Sequence, residues 1–97
     1  MPHPRPVVLV TGSATGVGRA CAVRFAKQGF DVVVNYSRSE SEARETMSLV
    51  EAAGVRALLT PCDVGNDAAV RAMMFQIEAT FGRLDVLVNN VDGGRTM

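Results

Sequence analysis

Thr11-Gly12-Ser13-Ala14-Thr15-Gly16-Val17-Gly18 joins two stretches of opposite character, and the rest of the chain follows from how it is understood. Before it, Pro6 to Thr11 is a continuous apolar run, the pattern of a strand buried on both faces. After it, Val17 to Gln28 puts Cys21, Ala22, Phe25 and Ala26 on one helical face, and Gly29 is placed to supply a left-handed C-terminal cap. Gly12 allows a tight turn as the chain leaves the strand. Gly16 removes a Cβ where a backbone must approach a pyrophosphate, and Gly18 lets the helix lie close against the strand. The uncompensated N–H groups and positive dipole end of that helix then face an anion.

The alternation continues downstream. Asp31 to Tyr36 is a second β-branched run, and Ser39-Glu40-Ser41-Glu42 matches a capping box. It opens a helix with Ala43, Met47 and Val50 on one stripe, closed by Gly54. Val55 to Thr60 reads as a third strand halted by Pro61. Asn66 or Asp67 caps a third helix with Val70, Met73 or Met74, Ile77 and Phe81 inward and Gly82 as its stop; Leu84 to Val88 is a fourth strand. The order βαβαβαβ, with crossovers suited to parallel pairing, predicts an α/β doubly wound parallel sheet. One reversal of direction gives the strand order 3-2-1-4, with a crevice between strands one and four, helices one and two on one face and helix three on the other.

Composition narrows the function. Of 97 residues, 47% are apolar and ten basic side chains balance ten acidic ones, so no footprint for nucleic acid or an anionic membrane stands out. The apolar runs are too short to span a bilayer, and residues 1–5 read as a flexible proline-rich leader containing the lone His3, without the apolar core of a secretory signal. Cys21 and Cys62 have no metal-site spacing and read as reduced thiols of a cytoplasmic protein. Residues 6–97 form the one domain, and no catalytic constellation or metal cluster is evident in it.

Gly18 is followed by Arg19, which rules out a P-loop, and the G-x-G-x-x-G dinucleotide pattern is not met either. What is met is T-G-x-x-x-G-x-G. Cys62-Asp63-Val64 after strand three and Leu87-Val88-Asn89-Asn90 after strand four follow in order, each at the carboxyl end of a strand. Together these resemble the short-chain dehydrogenase/reductase family, of Rossmann type, over nearly the whole chain beyond the leader. The resemblance implies that Gly12, Ser13, Thr15, Gly16, Val17 and Gly18 cradle the pyrophosphate of NAD(P). It implies that Asp63 bonds the adenine amino group with Val64 beside the ring, and that Asn89 lines the adenine ribose. From the residues alone Asp63 also suits the capping of a turn, and Asn89 the satisfaction of loop backbone.

Strand two ends in Asn35-Tyr36-Ser37-Arg38, with no acid before Glu40. An acid there would hold a ribose 2′-OH and repel a 2′-phosphate; an Arg forms charge-assisted bonds to phosphate. Asn35, Ser37 and Arg38 therefore favour NADP(H) over NAD(H), the alternative for Arg38 being an exposed loop charge.

The family's chemistry is hydride transfer with a Tyr-x-x-x-Lys pair and a Ser. Tyr36 and Lys27 are the only residues of their kinds, in the wrong order, so this chain by itself is expected to be inactive, the amino-terminal portion of an oxidoreductase. Val91 and Asp92 depart from the family's N-N-A-G, with Gly93-Gly94 next and Arg95-Thr96-Met97 fitting the start of the following loop. An uncovered fourth strand is expected to favour self-association. The competing expectations are a non-catalytic dinucleotide-binding module or edge-strand partner, and a flavodoxin-like regulator, which the missing early acidic cluster disfavours.

Overall fold

The computed structural model describes residues 5–90, so His3, Val91, Asp92, Gly93, Gly94, Arg95, Thr96 and Met97 lie outside the described residues. The elements are β1 (Val7–Val10), α1 (Gly16–Lys27), β2 (Asp31–Tyr36), α2 (Glu40–Ala52), β3 (Ala57–Pro61), α3 (Asp67–Phe81) and β4 (Val86–Val88). All pairings are parallel and the strand order is β3-β2-β1-β4, as the alternation predicts. β1 and β2 are central, which is why their apolar runs do not alternate: Val7 to Val10 and Val32 to Val34 are at most 2% exposed.

The sheet separates two cores. On one side Val8, Val10, Val32 and Val34 meet Ala22 and Ala26 of α1 and Ala43 and Val50 of α2. On the other, Val7, Leu9 and Val33 meet Met73 and Ile77 of α3. Met73, not Met74, is thus the inward residue. At the end of α3 Arg56 stacks its guanidinium 4.9 Å from the Phe81 ring centroid.

Several boundaries move. The strand expected from Val55 starts at Ala57 and runs through Pro61 instead of stopping before it. Cys62 donates its N–H to Tyr36 O, so even-numbered residues of β3 point their backbone at β2 and Pro61 turns its missing donor to the open edge, where a proline costs nothing. β4 is shorter than Leu84 to Val88. The capping box does not form: Ser39 stands at the N-cap, but its side chain makes no capping bond. In α2 the fully buried stripe is Ala43, Thr46 and Val50, while Met47 is half-buried. The Thr46 hydroxyl donates to Ala14 O (3.1 Å) and accepts from Arg19 Nε (2.8 Å), a polar tie that a search for apolar periodicity passes over. By contrast Asn66 caps α3 as expected, accepting the Ala69 N–H at 3.0 Å, and Gly82 ends it in the left-handed region.

Candidate dinucleotide-binding cleft

The carboxyl ends of β1, β2 and β3 open into one cleft of about 500 Å³. From the β1–α1 turn it is lined by Thr11, Gly12, Ala14 and Thr15; from the end of β2, by Asn35 to Ser39. Cys62, Asp63 and Val64 close it beyond β3, and Asn90 closes it beyond β4. The three motif loops therefore meet, as a doubly wound sheet dictates at a switch of strand direction: Gly12, Thr15, Asp63, Val64 and Asn90 line the cleft, while Ser13, Gly16, Val17, Gly18 and Asn89 are not in its wall.

The turn is held by buried polar side chains. Asn35 is 2% exposed, and its Oδ1 accepts the Gly12 N–H at 3.0 Å. Its Nδ2 donates to Cys62 O (3.2 Å) and Thr60 O (3.4 Å). One amide thus ties the glycine turn to the loop after β3. Ser13 is completely buried: its hydroxyl donates to Val10 O at 2.8 Å and accepts the Asn35 N–H at 3.1 Å. Both are among the residues the sequence points to for cofactor binding, and Asn35 is in the cleft wall. Ser13 does not line the cleft, and the Asn35 amide is spent on protein groups.

The helix end is left open. Thr15 at the N-cap of α1 makes no side-chain capping bond, and the first turn has no acidic residue to offset the dipole. A Cβ on Gly16 would meet nothing within 4 Å, yet its φ of +61° is one that side chains rarely adopt. Val17 beside it is 70% exposed. Gly18 is confined instead: an added Cβ would lie 2.2 Å from Gly12 O and 2.9 Å from Asn90 Nδ2. The sequence points to a close approach of Gly18 to the strand; its nearest neighbours are Gly12 of the turn and Asn90, both just beyond the strands.

Thr11 and Asn90 are functional-looking residues that motif reading underweighted. The Thr11 hydroxyl accepts the Asn90 N–H at 2.8 Å, and Asn90 Nδ2 donates to Gly12 O at 3.2 Å. Asn89 is exposed, its Oδ1 3.4 Å from the Thr11 hydroxyl, and does not line the cleft. Asp63 does line it, and its Oδ1 also accepts the Gly65 N–H at 2.9 Å, the turn-capping role. Burial, then the neighbouring Asp63 charge, raises the Cys62 thiol pKa, so the sulfur stays protonated and unreactive near neutrality. Ser37 and Arg38 are exposed at the rim. Tyr36 lines the cleft, whereas Lys27 ends α1 and is absent from the cleft wall. Among the described residues no cluster could hold a metal ion, and no helix is long and apolar enough to cross a membrane.

Comparison with known proteins agrees with this geometry. The family model described as short chain dehydrogenase matches residues 6–96. The short-chain dehydrogenase/reductase homolog YusS of Bacillus subtilis is 45% identical over 84 residues, covering 87% of this chain and 77% of that protein. For seven further curated relatives the chain spans 29–34% of their length. A crystal structure from Burkholderia xenovorans, described as a short-chain dehydrogenase/reductase, superposes with a TM-score of 0.91 at 32% identity, over 99% of this chain and 40% of that one. Another, described as a dehydrogenase from Burkholderia cenocepacia with bound NADP, gives 0.83 at 30% identity, over 89% and 34%. A four-stranded parallel sheet in the order 3-2-1-4, its glycine turn at the carboxyl end of β1 and a match over 6–96 leave one assignment: the chain belongs to the short-chain dehydrogenase family and corresponds to its amino-terminal portion.

Proposed function

We propose that this chain is the dinucleotide-binding part of an oxidoreductase acting on a carbonyl or alcohol, and that it prefers NADP(H) to NAD(H). The observation that carries the reading is the cleft itself. It brings the uncapped, acid-free start of α1 beside a rim whose β2 side offers Arg38 and no carboxylate until Glu40. Among the described residues Arg38 meets no carboxylate. The fit to a dinucleotide rests on a cleft of about 500 Å³ whose wall carries Gly12 and Thr15 from the glycine turn, Ser37 and Arg38 from the end of β2, and Asp63 and Val64 from beyond β3.

In this reading the α1 N–H groups with Gly12, Thr15, Gly16 and Val17 hold the pyrophosphate. Gly18 lets the turn close, while Ser13 and Asn35 keep it in shape from behind. Ser37 and Arg38 take the 2′-phosphate, Asp63 and Val64 border the adenine, and Asn89 stands toward the ribose. When bound, the dinucleotide supplies hydride chemistry at its nicotinamide. This chain's residues bind and orient it; none of them is assigned a proton-transfer role. The free thiols of Cys21 and Cys62 fit a reducing, cytoplasmic setting.

Titration of the purified chain with NADPH and NADH tests the proposal. NADPH should bind in a saturable manner and more tightly than NADH, and Arg38→Ala should erase about tenfold or more of that difference, the worth of a charge-assisted bond. Failure of either nucleotide to saturate overturns the binding reading; a preference unchanged in Arg38→Ala overturns the NADP assignment. A binding module without catalysis is the second reading, favoured by the separation of Tyr36 in the cleft from Lys27 outside it. Turnover of NADPH with a panel of carbonyl compounds by the purified chain would exclude it.

A further inference from the structure

α1 and α2 lie side by side on one face of the sheet, and their outer surfaces form a shallow, open groove of about 660 Å³. It shares no lining residue with the 500 Å³ cleft and meets the proposed dinucleotide site only at Gly16, where α1 begins. Its floor is Ala20 and Val23 of α1 with Leu49 of α2, and Leu49 remains 46% exposed. The groove runs on past Ala52 and Ala53 through a further 380 Å³ that shares Val23, Lys27 and Leu49.

The charge around this groove is one-sided. Arg19, Arg24 and Lys27 line it and no acidic residue does, in a chain whose ten basic and ten acidic side chains cancel as a whole. α1 has these three cations and no acid along its whole length. Arg19 is engaged, bonding Thr46, Glu42 O and Glu45. Arg24 and Lys27 meet no carboxylate among the described residues. Their aliphatic stems extend the apolar walls while their charged ends stay at the water boundary. An apolar floor with a few cations beside it combines the two kinds of contact that fix a small molecule, an apolar face and a charged anchor.

We propose that the α1–α2 groove binds a small amphiphilic carboxylate, its hydrocarbon body over Val23 and Leu49 and its carboxylate between Arg24 and Lys27. A neutral molecule of the same shape would forfeit the cations, and a compact anion the floor. Neither alone uses what the groove offers.

The test is a titration of the isotope-labelled 97-residue chain with octanoate, followed through backbone amide shifts, with 1-octanol and acetate as the paired probes. Octanoate should produce saturable shifts centred on Val23, Leu49 and Ala52, with both controls weaker. The R24E/K27E variant should bind about tenfold more weakly, the scale expected of two exposed ionic contacts. Where that double reversal disturbs the amide spectrum, R24Q/K27Q decides, with a smaller loss in the same direction. Excess NADPH should leave the octanoate shifts in place. Octanol binding as tightly as octanoate, shifts centred instead on Phe75 or Leu87, or displacement by NADPH would each overturn the proposal.

Discussion

At Gly18 a single carbon is too much. Its Cβ would fall 2.2 Å from the Gly12 carbonyl oxygen, and relief requires the turn's own backbone to move. Gly16 presents the opposite case: space is open, and only its φ of +61° resists a side chain. Overpacking against backbone costs about 1–3 kcal/mol, a left-handed non-glycine residue about 1–2 kcal/mol. Thermal unfolding should therefore rank Gly18→Ala below Gly16→Ala in midpoint. NADPH titration should show Gly18→Ala losing affinity through distortion of the turn, with Gly12 and Asn90 as the displaced groups. The two glycines look alike in the motif and differ because one faces protein and the other faces solvent. The severe clash is with Gly12, inside the same motif, and follows from how the turn folds back; the second, with Asn90, lies 72 residues further along the chain, and no local pattern contains it. The same holds for Asn35. At the end of a strand it reads as a ligand-facing amide; folding buries it and commits it to Gly12, Thr60 and Cys62.

Elements are bounded by their caps, and the two capped helices with sequence signals behave differently. Asn66 accepts the Ala69 N–H, whereas the Ser39 side chain makes no capping bond. Asn66→Ala should cost about 1 kcal/mol in chemical denaturation and Ser39→Ala only a few tenths; equal losses would contradict this. The capping box failed as a signal because Ser39 has a backbone conformation (φ −97°, ψ +70°) outside the extended region typical of a cap. Strands were legible where burial is two-sided, in β1 and β2, and blurred at the edges, where β3 absorbs Pro61 and β4 shrinks to three residues. A second tie sets the register of β4 at its start. Asp85 accepts the Val7 N–H at 2.8 Å and both Nε and Nη2 of Arg83 at 2.8 Å. The Arg83 bonds first, and then the Val7 N–H, hold its carboxyl pKa below the ordinary range. Because the folded pKa is the lower one, the stabilisation is present above the unfolded carboxylate value and fades as pH falls through the folded one. Between about pH 6 and about pH 3, the urea midpoint of the parent should fall more than that of Asp85→Asn. Parallel curves would show that the bonds contribute nothing.

For the molecule as a whole, parallel topology and layer order follow from chain alternation, but the exposure of each face does not. β4 pairs with β1 alone in the described sheet, leaving its other edge without a strand. Leu87 sits in register with Leu9, on the α3 side of the sheet; Leu9 is 2% exposed and Leu87 58%. The difference arises because α3 covers the β1–β2 side of that layer, reaching Val7, Leu9 and Val33 through Met73 and Ile77, and stops short of β4. An open edge strand beside a wet leucine is a template for pairing with another chain, and a lysine at such a position is a common deterrent. Burying Leu87 against a second copy would recover about 1.5–3 kcal/mol per side chain, enough to matter against the 5–15 kcal/mol typical of a domain. For the 97-residue chain on its own, sedimentation velocity should show association growing with concentration. Leu87→Lys should move its onset to higher concentration without lowering the melting midpoint, since the side chain makes little contact within the fold. Phe75, 76% exposed on α3, serves as the comparison: if Phe75→Lys suppresses association and Leu87→Lys does not, the contact runs through the helix and the β4 edge is not the adhesive surface.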